Sequence, residues 1–218
     1  MNSFASENLK RIYVSVNAIA FVFNQISDRY EKILDILREI DTSADTLGPN
    51  GVAIGLAYPR RNELIGLAWD FVDWANRLEK LLHAAAGVKK SDPWFGEIVR
   101  ALSVTKDVRE YMQHFDGSLS ELLSGCYPIG GSVTAWYGTF EVLYGRVILS
   151  TPARFSGDSE VTVSGYSLPL DMPSPISHVT LSVASRSINI SKVFLQVEGA
   201  KTSLGAYLLR TYNFEWPD

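Results

Sequence analysis

Cysteine is nearly absent from this chain: Cys126 is the only one in 218 residues. A lone thiol closes no intramolecular disulfide, and nothing points to an oxidising compartment. Histidine is almost as scarce. His83, His114 and His178 have no Cys or His partner at ligand spacing, which argues against a zinc site, and no other cofactor is expected. A strong charge of either sign is missing too. The net charge of −4 and a pI near 5.4 argue against broad, non-specific nucleic-acid or membrane binding, which needs a basic surface, but leave room for a local basic site. No apolar run is long enough to span a bilayer. Ile12 to Phe23, preceded by Lys10 and Arg11, covers about 12 residues against the ~20 required, and Ser15 and Asn17 interrupt it. Ala18-Ile19-Ala20 resembles a signal cleavage site, yet the apolar periodicity runs straight through it, so a helix is the better reading. A soluble, cytoplasmic chain with no membrane partner is expected. Several nucleotide and hydrolase machines are absent as well. Gly125 to Gly131 lacks the Lys-Ser/Thr of a phosphate loop, and no G-x-S-x-G, H-E-x-x-H or dinucleotide fingerprint occurs. Cys126 itself has no activating neighbour in sequence and reads as a small packing residue.

What is present is periodicity. Ile12, Val16, Ile19, Phe23, Ile26, Tyr30, Ile33, Leu37 and Ile40 alternate steps of four and three, the signature of a helix burying a narrow seam. Tyr13, Val14, Phe21 and Val22 lie off that seam, so the N-terminal half needs cover from more than one side. A second copy or the later β segment are the two candidates. The stretch from Asp41 to Tyr58 reads as a loop around Gly48-Pro49-Asn50-Gly51. Pro59 then suits the first turn of a second helix with a buried face of Leu64, Leu67, Phe71, Trp74, Leu78, Leu81 and Ala85, and Gly87 as its stop. Asp92-Pro93 opens a third helix carrying Ile98, Leu102, Val108, Met112 and Phe115, with Ser103-Val104-Thr105 as a candidate break. Asp116-Gly117 closes it.

Composition changes near Ser132. Trp136, Tyr137, Phe140, Val142, Tyr144, Val147 and Leu149 sit among glycines, as strands and turns require. Val161 and Val163, then Val179, Leu181 and Val183, alternate with polar residues at the strand period. A last strand at Ile188 to Ile190 precedes a closing helix, capped by Ser191 and carrying Val193, Phe194, Val197, Leu204, Tyr207 and Leu208. The fold class expected is α+β: an N-terminal antiparallel helical bundle over 1–125, then a small antiparallel sheet and closing helix over 126–218, packed on the bundle as one unit.

One short constellation carries chemistry: Arg109-Glu110-Tyr111-Met112-Gln113-His114, followed by Phe115-Asp116. An Arg and a His with four residues between them, late in a helix of a small bundle, resemble the Arg-x(4–6)-His motif of the HEPN (higher eukaryotes and prokaryotes nucleotide-binding) superfamily. The helical half resembles that fold in layout, and the string Arg-x4-His-Phe-Asp is similar to bacterial HEPN-like proteins with a β-rich extension. The resemblance implies a metal-independent ribonuclease acting as a homodimer, with RNA as substrate. His114 would be the general acid or base, and Arg109 would neutralise charge building on the phosphate. A five-residue step leaves Arg109 and His114 roughly 140° apart on a regular helix. Convergence then needs a long reach by Arg109, fraying at His114, or a second subunit.

Glu110 departs from the polar residue that often follows the Arg in active members, and a carboxylate there repels phosphate unless neutralised. With the acidic pI and the lack of a basic stripe, it supports the alternative of a catalytically inactive HEPN-like module that binds a protein partner or nucleotide. Arg77 and His83 form a second pair at similar spacing, but Asp70, Asp73 and Glu79 around them read as an ion-pair ladder, with Asp73 and Arg77 at i, i+4. Arg60-Arg61 and Lys89-Lys90 read as solvated charges. A small-molecule site lined by Trp136, Tyr137 and Tyr144 is a third reading.

Overall fold

The computed structural model describes residues 3–42, 58–114, 131–138, 143–150, 161–165 and 176–216. Within them run four helices and five strands: α1 (Ser3–Thr42), α2 (Tyr58–Ala84), α3 (Pro93–Gln113), β1 (Ser132–Gly138), β2 (Leu143–Ser150), β3 (Val161–Gly165), β4 (Ile176–Val183), β5 (Arg186–Asn189) and α4 (Ile190–Tyr212). The architecture is α+β, with a closing helix as expected. The loop around Gly48, the turn residues Asp116-Gly117 and Ser156-Gly157-Asp158, and Cys126 all lie outside the described residues.

The 40-residue α1 is the spine. Ile12, Val16, Ile19, Phe23, Ile26, Tyr30, Ile33 and Leu37, its alternating seam, are all buried. The off-seam residues divide. Val22 is buried, whereas Val14 is 65% exposed and Phe21 56%, the latter meeting Trp74 edge-on (ring centroids 5.6 Å). Tyr13, also exposed, meets Phe214 edge-on. The N-terminal half of α1 therefore keeps an open apolar strip that the described part of the sheet does not cover.

In α2 the buried face is rotated from the expected one. Leu64, Phe71 and Leu78 are buried as predicted, but Ile65, Ala68, Val72, Ala75 and Leu82 complete the face, while Leu67, Trp74 and Leu81 sit half-buried at its edges. Small alanines are part of the buried face, and larger side chains take its half-buried edges. Gly87, at φ +82°, lies three residues beyond the end of α2 and turns the chain toward α3, with its Cα hydrogens against Ile12.

The third helix is unbroken. Thr105 is fully buried and its hydroxyl donates to the Leu102 carbonyl at 2.6 Å, so the β-branched hydroxyl residue satisfies itself inside the helix instead of interrupting it. Asp92 holds the N-cap position with Pro93 after it, but its side chain makes no capping bond and instead faces Lys89 at 3.4 Å.

The sheet is antiparallel throughout, in the order β3-β2-β1-β4-β5. Val133 and Ala135 of β1 and Val179, Leu181 and Val183 of β4 point into the core, the strand-period alternation read from the sequence. Helix α4 starts two residues earlier than the Ser191 cap predicts. Asn189 is the N-cap and accepts from the Lys192 N–H at 2.8 Å. Ser191 is buried in the first turn, where its Oγ accepts from the Tyr30 hydroxyl (2.9 Å) and from the Val179 N–H (2.8 Å). That oxygen joins α1, β4 and α4 at a single point. Tyr30 also stacks on Phe194 (4.0 Å between centroids), and Phe23 meets Trp216 edge-on, so helices, sheet and closing helix share one core.

Candidate active site between α2 and α3

Two polar stripes of identical spacing face each other where α2 and α3 run side by side. Asn76, Glu79, Lys80 and His83 stand at i, i+3, i+4 and i+7 on α2, hence along one face. Lys106, Arg109, Glu110 and Gln113 repeat those steps on α3. With Ala84 and His114 they line an open groove of about 680 Å³. Its position follows from the core: α2 turns Ala75, Leu78 and Leu82 inward and α3 turns Leu102, Thr105 and Val108 inward. The adjoining positions on each helix meet at the rim.

Arg109 is held firmly. Its Nε donates to Asp73 Oδ1 at 2.7 Å and its Nη1 to Gln113 Oε1 at 3.0 Å, and the side chain is 22% exposed. Nη2 has no hydrogen bond among the described residues. Arg77 contacts the other Asp73 oxygen at 2.8 Å. Burial alone would raise the Asp73 carboxyl, but the hydrogen bond from Arg109 and the charges of Arg77 and Arg109 outweigh it and hold it below its ordinary value. Asp73 is thus the observed partner of Arg109 among the described residues.

His114 reaches the same groove although the ideal helical step sets it well around from Arg109. It is the C-cap of α3, with φ −112° and ψ 37°, and its N–H still bonds the Glu110 carbonyl at 3.0 Å. The backbone leaves helical geometry at this residue, one of the routes to convergence that the spacing demands. Both side chains line the groove within one chain.

The groove also holds residues that the motif does not include. His83 is exposed and packs edge-on against Phe95, with ring centroids 5.4 Å apart. Asn76 is only 4% exposed and its Oδ1 has no hydrogen-bond partner among the described residues, a burial that costs about 1–3 kcal/mol when left unmet. Lys106 pairs loosely with Glu110 at 3.7 Å. Arg77 turns away: it pairs with Asp73 at i, i+4 as the sequence suggests, and its guanidinium lies 4.5 Å over the Trp74 ring. Arg77 and His83 therefore do not converge. The matched spacing of the two stripes was visible in the sequence, but nothing there says that those two faces oppose each other.

Among the described residues no group of three or more His, Cys, Asp and Glu side chains is placed to hold a metal, and no helix is long and apolar enough to cross a membrane. The side chains of Trp136, Tyr137 and Tyr144 fall outside the described part of the structure. No family model, curated protein or solved structure matches this chain.

Proposed function

We propose that this chain is an endoribonuclease of the HEPN type that cleaves RNA without a metal, with Arg109 and His114 as catalytic residues in the groove between α2 and α3. The observation that carries the reading is that these two residues line one groove, with the Arg109 guanidinium oriented by Asp73 and its Nη2 left without a hydrogen bond among the described residues. A planar, permanently charged group so positioned suits the charge that builds on a phosphodiester during attack by the 2′-oxygen. His114, exposed at the helix end, suits proton transfer at the attacking or leaving oxygen. The product expected is a 2′,3′-cyclic phosphate beside a 5′-hydroxyl. Homodimerisation belongs to this reading, and the exposed strip at Val14 and Phe21 is the apolar surface open to a second copy.

A second reading has its own support. Asp73 already engages Arg109, and Glu79 and Glu110 line the groove, so an anion meets carboxylates there. These features favour a catalytically inactive module that binds a protein partner.

The deciding experiment is digestion of a mixed RNA pool in excess EDTA by wild type and His114→Ala. The first reading expects cyclic-phosphate ends from wild type and a rate at least ~100-fold lower from the variant. Intact RNA in both would move the chain to the second reading.

A further inference from the structure

The proposed transesterification needs two proton transfers. The 2′-hydroxyl must lose a proton as O2′ bonds to phosphorus, and O5′ must gain one as its bond to phosphorus breaks. Attack is in line, so the two oxygens lie on opposite sides of the phosphorus, and one imidazole held in one place does not serve both in the same step. The motif supplies a single histidine. The groove contains two, on opposite walls: His114 at the end of α3 and His83 on α2.

Resting on the ribonuclease reading, we infer that His83 is the second proton-transfer group, so that one chain carries acid, base and phosphate-binding cation in a single groove. Neither His83 nor His114 makes a side-chain hydrogen bond among the described residues, which leaves their nitrogens open to substrate. The groups facing His83 are Glu79 and Lys80 on its own helix and Lys106, Arg109, Glu110 and His114 on α3. Of these, Glu110 is already near Lys106 and Arg109 already holds Asp73. Phe95 fixes one edge of the His83 ring. An independent observation points to a ligand in the same place. Asn76, about two helical turns before His83 on the groove stripe, is buried with its Oδ1 unpartnered among the described residues, and a donor on a bound nucleotide would satisfy it.

The step balances without a co-reactant. The neutral imidazole of the pair takes the 2′-hydroxyl proton, O2′ closes on phosphorus, the P–O5′ bond breaks, and O5′ takes a proton from the imidazolium opposite. One proton has crossed from one histidine to the other through the substrate, and exchange with water restores the starting pair.

The test uses the full chain and a short single-stranded RNA in EDTA. His83→Ala and His83→Gln are each expected to lower kcat by ~100-fold or more with KM within about threefold of wild type, and to remove one limb of a bell-shaped pH–rate profile. Adenosine 3′-monophosphate should shift the imidazole NMR signals of His83 and His114 with the same midpoint. A kcat within about threefold of wild type in His83→Ala, beside an inactive His114→Ala, would leave the ribonuclease reading standing and remove His83 from it. Loss of activity in Glu79→Gln with His83→Ala active would overturn the inference in favour of that carboxylate. Activity restored by mixing inactive His83→Ala with inactive His114→Ala would place the two histidines in different chains, against a one-chain site. No cleavage by wild type would take down the ribonuclease reading and this inference together.

Discussion

Ser191→Ala should be far more damaging than a surface-sized change of one oxygen suggests. The Oγ accepts two hydrogen bonds in the core, from the Tyr30 hydroxyl at 2.9 Å and the Val179 N–H at 2.8 Å. The β4–β5 ladder ends at Thr180 and Asn189, so Ser191 continues in side-chain form the pairing that the chain abandons as it enters α4. Removing the oxygen strands two buried donors at about 1–3 kcal/mol each, partly offset by the better helix propensity of alanine, for a net loss of about 2–5 kcal/mol. Tyr30→Phe alone leaves Ser191 with its Val179 partner and keeps the stack on Phe194, so it should cost only about 0.5–1.5 kcal/mol. The sharper consequence is a change of sign. In the Ser191→Ala background the Tyr30 hydroxyl has no acceptor, so deleting it should be neutral or stabilising. Urea unfolding of the four proteins, compared at equal m, measures this cycle. Additive effects, or a Ser191→Ala loss below about 0.5 kcal/mol, would refute the assignment of that oxygen as a shared acceptor. The same burial raises the Tyr30 hydroxyl above its ordinary value, against the opposing effect of the Ser191 bond.

Asn76→Leu removes a buried amide whose oxygen has no partner among the described residues and should raise the urea midpoint, by about 1 kcal/mol or more of stability; a lower midpoint would show that the amide is satisfied in solution. Asp73 carries the acid-side prediction. Its folded carboxyl lies below its unfolded value, so its contribution is present above the unfolded value and fades as pH falls through the folded one. Asp73→Asn should flatten that part of the stability profile by less than about 1 kcal/mol, because the pair with Arg109 and Arg77 is partly solvated; identical acid limbs would refute the pairing.

The helical half was legible because its signal is local. An alternating seam in α1 needs only the chain's own period, and every described seam residue is buried. The rotated face of α2 shows the limit of that logic: Ala68 and Ala75 are too small to register as hydrophobic markers, yet both are fully buried in the core. Thr105 and Ser191 show another. Each was read by its usual local role, helix breaker or cap, and each is a buried hydroxyl whose partner the packing supplies.

By itself the sequence determined the α+β order of elements, the seam of α1, the alternation in β4 and the Arg109–His114 spacing, because each depends on a repeat along one stretch of chain. Only the tertiary structure decided that Asp73 holds Arg109, that His114 leaves the helix into the groove, and that His83 and Asn76 face both from α2. Those relations join residues about 25 to 40 apart in sequence, and they exist only where two helices pack at a particular rotation, which side-chain volumes in the shared core set and no periodicity encodes.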